Sequence, residues 1–448
     1  MLSKRWRLFL IAAFVCGLLL RLLWPADMEW KEDEYYNYIV PHLIATGARS
    51  WPWTGMNSGV YIANPGMSIW TFTVAAKIAQ FFGATGPIGL TLVVRLIALL
   101  GCALVLPLSL IASGRASGRA SNRQSGAREP WLWAFAFSMV NPFLIYYHRK
   151  LWPQTFLPLF CCLTLLGWYR RERKAGAFFW GLIGALIGQV HMAGFFSAAA
   201  LVLGALAFER RKTRWRFWFL GSCLGALPLL PWLSYLIAHP TGQPLSAGYS
   251  ELYQFKFWVF WVTDALGLHL GNPLGLLLGG SIYTQISHFA RYPIIGGYAT
   301  WICGIAHLIA LVSGLAILGR AGILALKKSH TGLQADLAEK STFWGFGALL
   351  TFTMVNIRRY YLAAAFPFEA LWLARLSLGG YSRKQGRTLL LALWFAQLVI
   401  SASFVGYIHA HEGSTEGDFG ESYRVQQKRH LHDFGESWPD LKLLSPNH

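Results

Sequence analysis

The chain reads as an all-α protein: a polytopic transmembrane helix bundle of about eleven spans, with surface-lying helices in its first outer loop. Three observations predict this class. Of 448 residues, 55% are hydrophobic and 13% charged, about half the ~25% charged content of a soluble domain. Apolar runs, many above the ~18 residues that suggest a spanning helix, recur along the chain from Leu8 onward between short charged stretches. The third observation is where the positive charge falls. Six short segments, 1–7, 113–130, 170–174, 209–216, 320–340 and 375–387, hold 24 of the 39 lysines and arginines. A cytoplasmic N-terminus puts all six on the inner face, as the positive-inside rule requires. The net charge of +19 would suggest nucleic acid in a soluble protein, but this distribution assigns it to membrane topology.

The expected spans lie near 7–24, 86–112, 131–147, 151–169, 177–190, 192–208, 217–238, 300–326, 342–357, 360–378 and 388–409, crossing a plasma or bacterial inner membrane. The first follows Lys4, Arg5 and Arg7; its length and the absence of an Ala-x-Ala-like site make it an uncleaved anchor rather than a signal peptide. The two short runs at 177–190 and 192–208 stay separate, because merging them would invert every later loop and spoil the charge bias. The Ser/Gly/Arg segment 113–128 reads as a solvated inner loop. All six cysteines fall within or at the ends of apolar runs without metal-ligand spacing, so neither a disulfide framework nor a zinc site is indicated. The bundle occupies residues 1–409. Outside it stand three outer segments: the first loop 25–85, a large loop 239–299 with nine glycines and many aromatics that could cover a site, and a tail 410–448.

Chemistry is expected on that outer face. Five of the 20 carboxylates crowd into the first loop as Asp27, Glu29, Glu32, Asp33 and Glu34. For Asp27 and Glu29 the plain reading is a solvated loop, with a metal-ligand role as the alternative. Asp33 and Glu34 open a segment to Thr46 whose Tyr35, Tyr38, Ile39 and His42 or Leu43 recur at helical spacing, which puts the pair at a helix N-terminus. The helix dipole favours carboxylate charge there. Adjacent carboxylates oppose each other's ionisation, and partial burial raises a carboxyl pKa into the range of a useful base. Asn64-Pro65-Gly66-Met67 starts a second apolar segment, with Pro65 at the first helical position and Lys77 in its middle; it reads as a shallow surface helix, a true span being the alternative.

Positive charge also appears on the outer side, against the topology rule. His148-Arg149-Lys150 joins two spans, and Arg358-Arg359 joins two others. Such charges are interfacial anchors, or they grip a phosphate, since arginine does so bidentately and lysine acts as a point charge. Tyr146, Tyr147, Tyr360 and Tyr361 flank these turns, as belt residues or as contacts to a phosphate or sugar. Gln189 and His191 sit at the outer junction of the two short spans, in structural or substrate-binding roles, and Glu369 lies within a span, where a protonated or paired structural role is expected.

These residues resemble the motifs of GT-C glycosyltransferases, especially the branch of protein O-mannosyltransferases and bacterial aminoarabinose transferases. The resemblance spans roughly residues 10–380. It rests on Asp33-Glu34 just after the first span, followed by Tyr35 and Tyr36 but with Asn37 where the branch often has tyrosine. It also rests on Asn64-Pro65-Gly66-Met67 with Trp70, on Asn141-Pro142-Phe143-Leu144-Ile145-Tyr146-Tyr147 with Arg149-Lys150, on Gln189 and His191, and on Arg359-Tyr360-Tyr361-Leu362 running to Pro367. The resemblance implies a polyprenyl-phosphate-linked sugar donor, inversion at the anomeric carbon and a first-loop aspartate as base. On this reading Asp33 is the catalytic base, with Glu34 as second choice or as its orienter. His148, Arg149, Lys150, Arg358, Arg359 and Tyr360 take the donor phosphate, and Tyr35, Tyr36, Asn64, Gln189, His191 and Tyr361 contact substrate. No cofactor is required; a divalent metal, which related branches use, stays open through Asp27 or Glu29. The short tail favours a lipid-linked glycan or other small envelope acceptor over a protein. The competing reading is a transporter or lipid flippase, although no internal repeat is apparent.

Overall fold

The computed structural model describes residues 3–58, 62–116, 121–239, 255–268, 289–327, 335–353, 356–414 and 419–434. Among them helices dominate, and the only strands form three short two-stranded antiparallel pairs, a small departure from the all-α expectation. Four helices are long and apolar enough to cross a membrane: Pro87–Gly114, Trp215–Ala238, Ile302–Leu326 and Arg383–His411. Two bent pairs, Pro142–His148 with Pro153–Trp168 and Arg359–Ala365 with Phe368–Gly380, raise the number to six if each pair is one span. The chain is a multi-pass membrane protein, and among the described residues four to six helices meet this length and composition, beside the eleven runs read from hydropathy.

The difference has local causes. The first helix, α1 (Lys4–Leu22), carries Lys4, Arg5, Arg7 and Arg21, and charge lowers its apolar score rather than its length. The expected run 131–147 is broken where α6 (Ser121–Val140) stops and Asn141 caps α7 (Pro142–His148), its Oδ1 accepting from the Phe143 and Leu144 N–H groups at 3.0 and 3.3 Å. The two runs kept apart in the sequence are two helices, α9 (Lys174–Val190) and α10 (Ala193–Phe208), of 17 and 16 residues. Large apolar side chains such as Phe81, Phe208, Leu308 and Leu315 stay exposed, as lipid-facing residues do.

Two helices of the first loop, 25–85, position the site. In α2 (Glu32–Ala45) the Glu34 carboxylate accepts the Lys31 N–H at 3.1 Å, and three acids fill the first turn, so both capping and dipole stabilise this end. The second helix, α3 (Met67–Phe81), starts two residues later than Pro65, because Ala63–Pro65 pairs as a strand with Thr54–Asn57. Gly66 then turns the chain so tightly that a Cβ there would stand 2.3 Å from the Pro52 carbonyl oxygen. At 15 residues α3 spans about 22 Å, short of the ~30 Å hydrocarbon core. Much of the large loop 239–299, namely 240–254 and 269–288, lies outside the described residues, as do 415–418 and 435–448 of the tail; within the loop, α13 (Lys256–Ala265) packs against Phe368–Gly380 and the Arg359–Ala365 turn.

Candidate active site

The first loop, the turn after α7, the α9–α10 junction and the Arg359–Ala365 turn meet around one cavity of about 680 Å³, within the ~300–1,000 Å³ usual for ligand sites. Its wall includes Asp33, Asn37, Asn64, Trp152, Gln154, His191, Tyr360 and Tyr361. Of the residues singled out in the sequence, Asp33, Asn64, His191, Tyr360 and Tyr361 therefore come together, although 328 positions separate the first from the last.

Asp33 is half-buried and makes no hydrogen bond or ion pair among the described residues. Burial pushes its pKa up, while the nearby Lys150 ammonium pulls it down. Asn37, one helical turn on, lines the same wall and donates to the Leu151 carbonyl at 2.7 Å. Asn64 donates to the Met56 carbonyl at 2.8 Å, and the Gln154 Oε1 is buried without a partner among the described residues. The opposite wall is aromatic. Trp152 meets Tyr360 edge-on at 5.7 Å, and His191 packs 5.8 and 5.7 Å from Tyr360 and Tyr361. Such a surface, apolar with a few aimed polar atoms, suits a sugar ring flanked by its hydroxyls.

Other residues singled out in the sequence lie off this cavity wall. Arg149 is buried, and its guanidinium donates to the carbonyls of Leu20, Arg21, Leu23 and Trp24. It satisfies the C-terminal end of α1, so most of its guanidinium is directed to that helix rather than to the cavity. His148 is likewise buried and accepts from Arg21 Nε at 2.9 Å. Lys150 sits 2.5 Å from Glu29, with Trp152 and Tyr146 rings 3.9 and 4.6 Å from its ammonium, so it acts on the cavity through its field. Arg359 pairs with Asp264 of α13 at 2.6 Å. Burial, which outweighs the Arg359 charge, raises the Asp264 carboxyl to about 7. Only Arg358 of the two cationic clusters is exposed and lacks an ion pair among the described residues, and its charge reaches the phenols of Tyr360 and Tyr361.

Glu34 does not line the cavity either. It is fully buried behind Asp33, where burial and then the like charge of Glu29 push its carboxyl up to about 7. Tyr35 packs edge-on against Trp30 at 6.3 Å and Tyr36 lies near Arg49, both away from the cavity wall. Gln189 is buried, donating to the Ala185 and Gly225 carbonyls at 2.9 and 2.7 Å, and so ties α9 to α11 (Trp215–Ala226). Asp27 and Glu29 are not solvated. Asp27 holds His409 at 2.6 Å and Arg424 at 3.0 Å, pinning the tail onto the first loop, and Glu29 holds Lys150 and Lys31. Their oxygens are engaged by His409, Arg424, Lys150 and Lys31, and no cluster of three or more metal-ligating side chains occurs among the described residues. Glu369 borders a small internal cavity with Asn141 and Asp264.

Sequence reasoning missed Asn37, Trp152, Gln154, Asp264 and the buried arginines Arg21 and Arg95. Asn37 was legible from its four-residue spacing to Asp33. Asp264, a lone acid in an apolar stretch, and Arg95, a cation inside a span, carried the signal of a charge too costly to leave unpaired. Arg95 donates to the Arg21 carbonyl at 2.8 Å and so joins Arg149 in a buried collar around the end of α1.

No protein-family model matches the sequence, and no curated protein does. Structural neighbours include oligosaccharyltransferase and the aminoarabinose transferase ArnT, both GT-C glycosyltransferases. The Archaeoglobus fulgidus oligosaccharyltransferase in its apo form is 13% identical, over 98% of this chain and 60% of its own length, with a TM-score of 0.49. The same enzyme solved with zinc and sulfate is 14% identical over 98% and 58%, at 0.45. ArnT from Cupriavidus metallidurans, solved bound to undecaprenyl phosphate, is 12% identical over 92% of this chain and 79% of its own, at 0.43. This chain thus spans about three fifths of the length of the oligosaccharyltransferase.

Proposed function

We propose that the protein is an inverting glycosyltransferase that moves a sugar from a polyprenyl-phosphate-linked donor to a hydroxyl of an envelope acceptor, in the cavity at the outer membrane face. One observation carries the reading: an unpartnered, half-buried carboxylate, Asp33, faces a ligand-sized cavity whose other polar atoms come from four distant segments. The motif resemblance to GT-C enzymes supplies the reaction class. The transporter reading has no comparable observation in its favour.

In the proposed step the acceptor oxygen attacks the anomeric carbon and its proton passes to the Asp33 carboxylate. The bond from the anomeric carbon to the phosphate oxygen breaks, and polyprenyl phosphate leaves with the electron pair. Burial raises the Asp33 carboxyl towards the range of a useful base, and Lys150, held by Glu29 behind Trp152, offsets part of that rise. Arg358 receives the charge that develops on the leaving phosphate, an electrostatic contribution made where the charge appears. Asn64, Gln154 and His191 orient the sugar and acceptor hydroxyls, and the aromatic wall of Trp152, Tyr360 and Tyr361 excludes water from the reacting bond. No metal takes part in this scheme.

The test is transfer itself. Membranes containing the protein are incubated with a panel of radiolabelled polyprenyl-phosphate sugars, beside membranes carrying Asn64→Trp, which fills the cavity. Label in lipid or glycan with the wild type and none with the variant is expected. Transfer that the filled cavity supports equally well would overturn the site, and no transfer from any donor would overturn the activity.

A further inference from the structure

A second cavity, of about 740 Å³, opens away from the proposed active site, between α10 and the turn formed by Leu337–Lys340 and Ser341–Phe346. It exists because both walls are small. The α10 wall offers Ala200, Gly204 and Ala207, and the facing wall offers Ser341 and Gly345. Gly204 is required for this approach, since a Cβ there would lie 1.9 Å from Ser341 Oγ. The facing segment is a π-helix, whose wider turn is frequent at functional sites. The rim is apolar and exposed: Leu203, Phe208 and Trp344 are 52%, 78% and 64% accessible, a surface that a bilayer accommodates. One polar atom is enclosed, the Ser341 hydroxyl, which is buried and has no hydrogen-bond partner among the described residues.

The mouth of this groove is cationic. Glu209 borders it, but its carboxylate is taken by Arg171 and Lys212. That leaves Lys340 on the wall, and Arg210 and Arg211 just beyond the end of α10, all exposed. Both segments, 209–216 and 320–340, belong to the set that charge bias assigns to the inner face. We infer that the groove holds one anionic phospholipid of the cytoplasmic leaflet, its acyl chain between α10 and the π-helix and its phosphate against Lys340, Arg210 and Arg211. Lipid is the solvent on this face, the groove is open to it laterally, and the positive mouth selects the headgroup by charge. This site is independent of the proposed glycosyl transfer and of the outer cavity.

The full-length chain, purified in detergent and equilibrated with equal amounts of palmitoyl-oleoyl phosphatidylglycerol and phosphatidylcholine, is analysed by native mass spectrometry. One phosphatidylglycerol is expected to survive activation, preferred over phosphatidylcholine by about fivefold or more, the effect of a single lysine at an anionic lipid surface. Lys340→Ala, an exposed change that packing tolerates, brings that ratio toward one. Ala207→Trp fills the groove and removes the retained lipid, whereas Leu308→Trp, on the lipid-facing surface elsewhere, leaves it. Equal retention of the two lipids by the wild type, an unchanged ratio in Lys340→Ala, or a retained lipid in a folded Ala207→Trp would each overturn the inference.

Discussion

Glu34 gives the sharpest prediction about how the first loop is held. Its carboxyl is fully buried, accepts the Lys31 N–H and keeps its proton to about pH 7, against the ordinary 4.5. Between those two values the folded protein binds a proton that the unfolded chain has released, so stability falls as pH rises through the window. The displacement from 4.5 to about 7 corresponds to about 3 kcal/mol, present below pH 4.5 and gone above about pH 7. Glu34→Gln keeps an oxygen for the Lys31 N–H and cannot ionise. Apparent melting temperatures of detergent-purified protein at about pH 5 and about pH 8 read the difference, since stability follows the protons bound by each state. The wild type is expected to lose stability between them, and the variant to lose much less and to be the more stable protein at the higher pH. Equal losses in the two proteins would refute the reasoning, because Glu34 would then not be the group that titrates.

Other outcomes follow from the same geometry. Arg149→Lys loses the guanidinium that serves four carbonyls of α1, so a destabilisation of about 2–4 kcal/mol is expected with the donor KM nearly unchanged, read by melting and by kinetics together. Arg358→Ala, at an exposed position, is expected to leave the melting temperature alone and weaken donor use about ten- to a hundredfold in kcat/KM, the loss of one hydrogen bond to a charged group. Asp27→Asn weakens the clasp on His409 and Arg424, which are partly exposed, so a modest cost of about 1–2 kcal/mol is expected together with faster protease cleavage near residue 420.

The helical character and the carboxylate cluster of the first loop were legible because hydropathy and charge placement are local signals. Asp33, His191 and Tyr360 stand at the ends of helices and Asn64 in the short strand before one, where sequence patterns mark a turn, and the cavity lies where those segments meet. Partner choice was not legible. Arg149 and Arg358 look alike in sequence, yet one lies under the collar at the end of α1 and the other faces outward, a distinction set by tertiary packing. The same holds for the acids: Asp27 and Glu29 seemed solvated until the tail and Lys150 were seen to neutralise them, pairings that cross up to 397 positions of chain. A hydropathy run does not reveal a break such as the one where α6 stops and Asn141 caps α7.

Steady-state kinetics of Asp33→Asn against the wild type, at saturating donor, bear most directly on the proposed chemistry. Loss of the proton acceptor with the cavity intact predicts a fall in kcat of about a hundred- to ten-thousandfold, with donor KM held within about threefold. A variant that turns over at nearly the wild-type rate would contradict the assignment of Asp33 as the base.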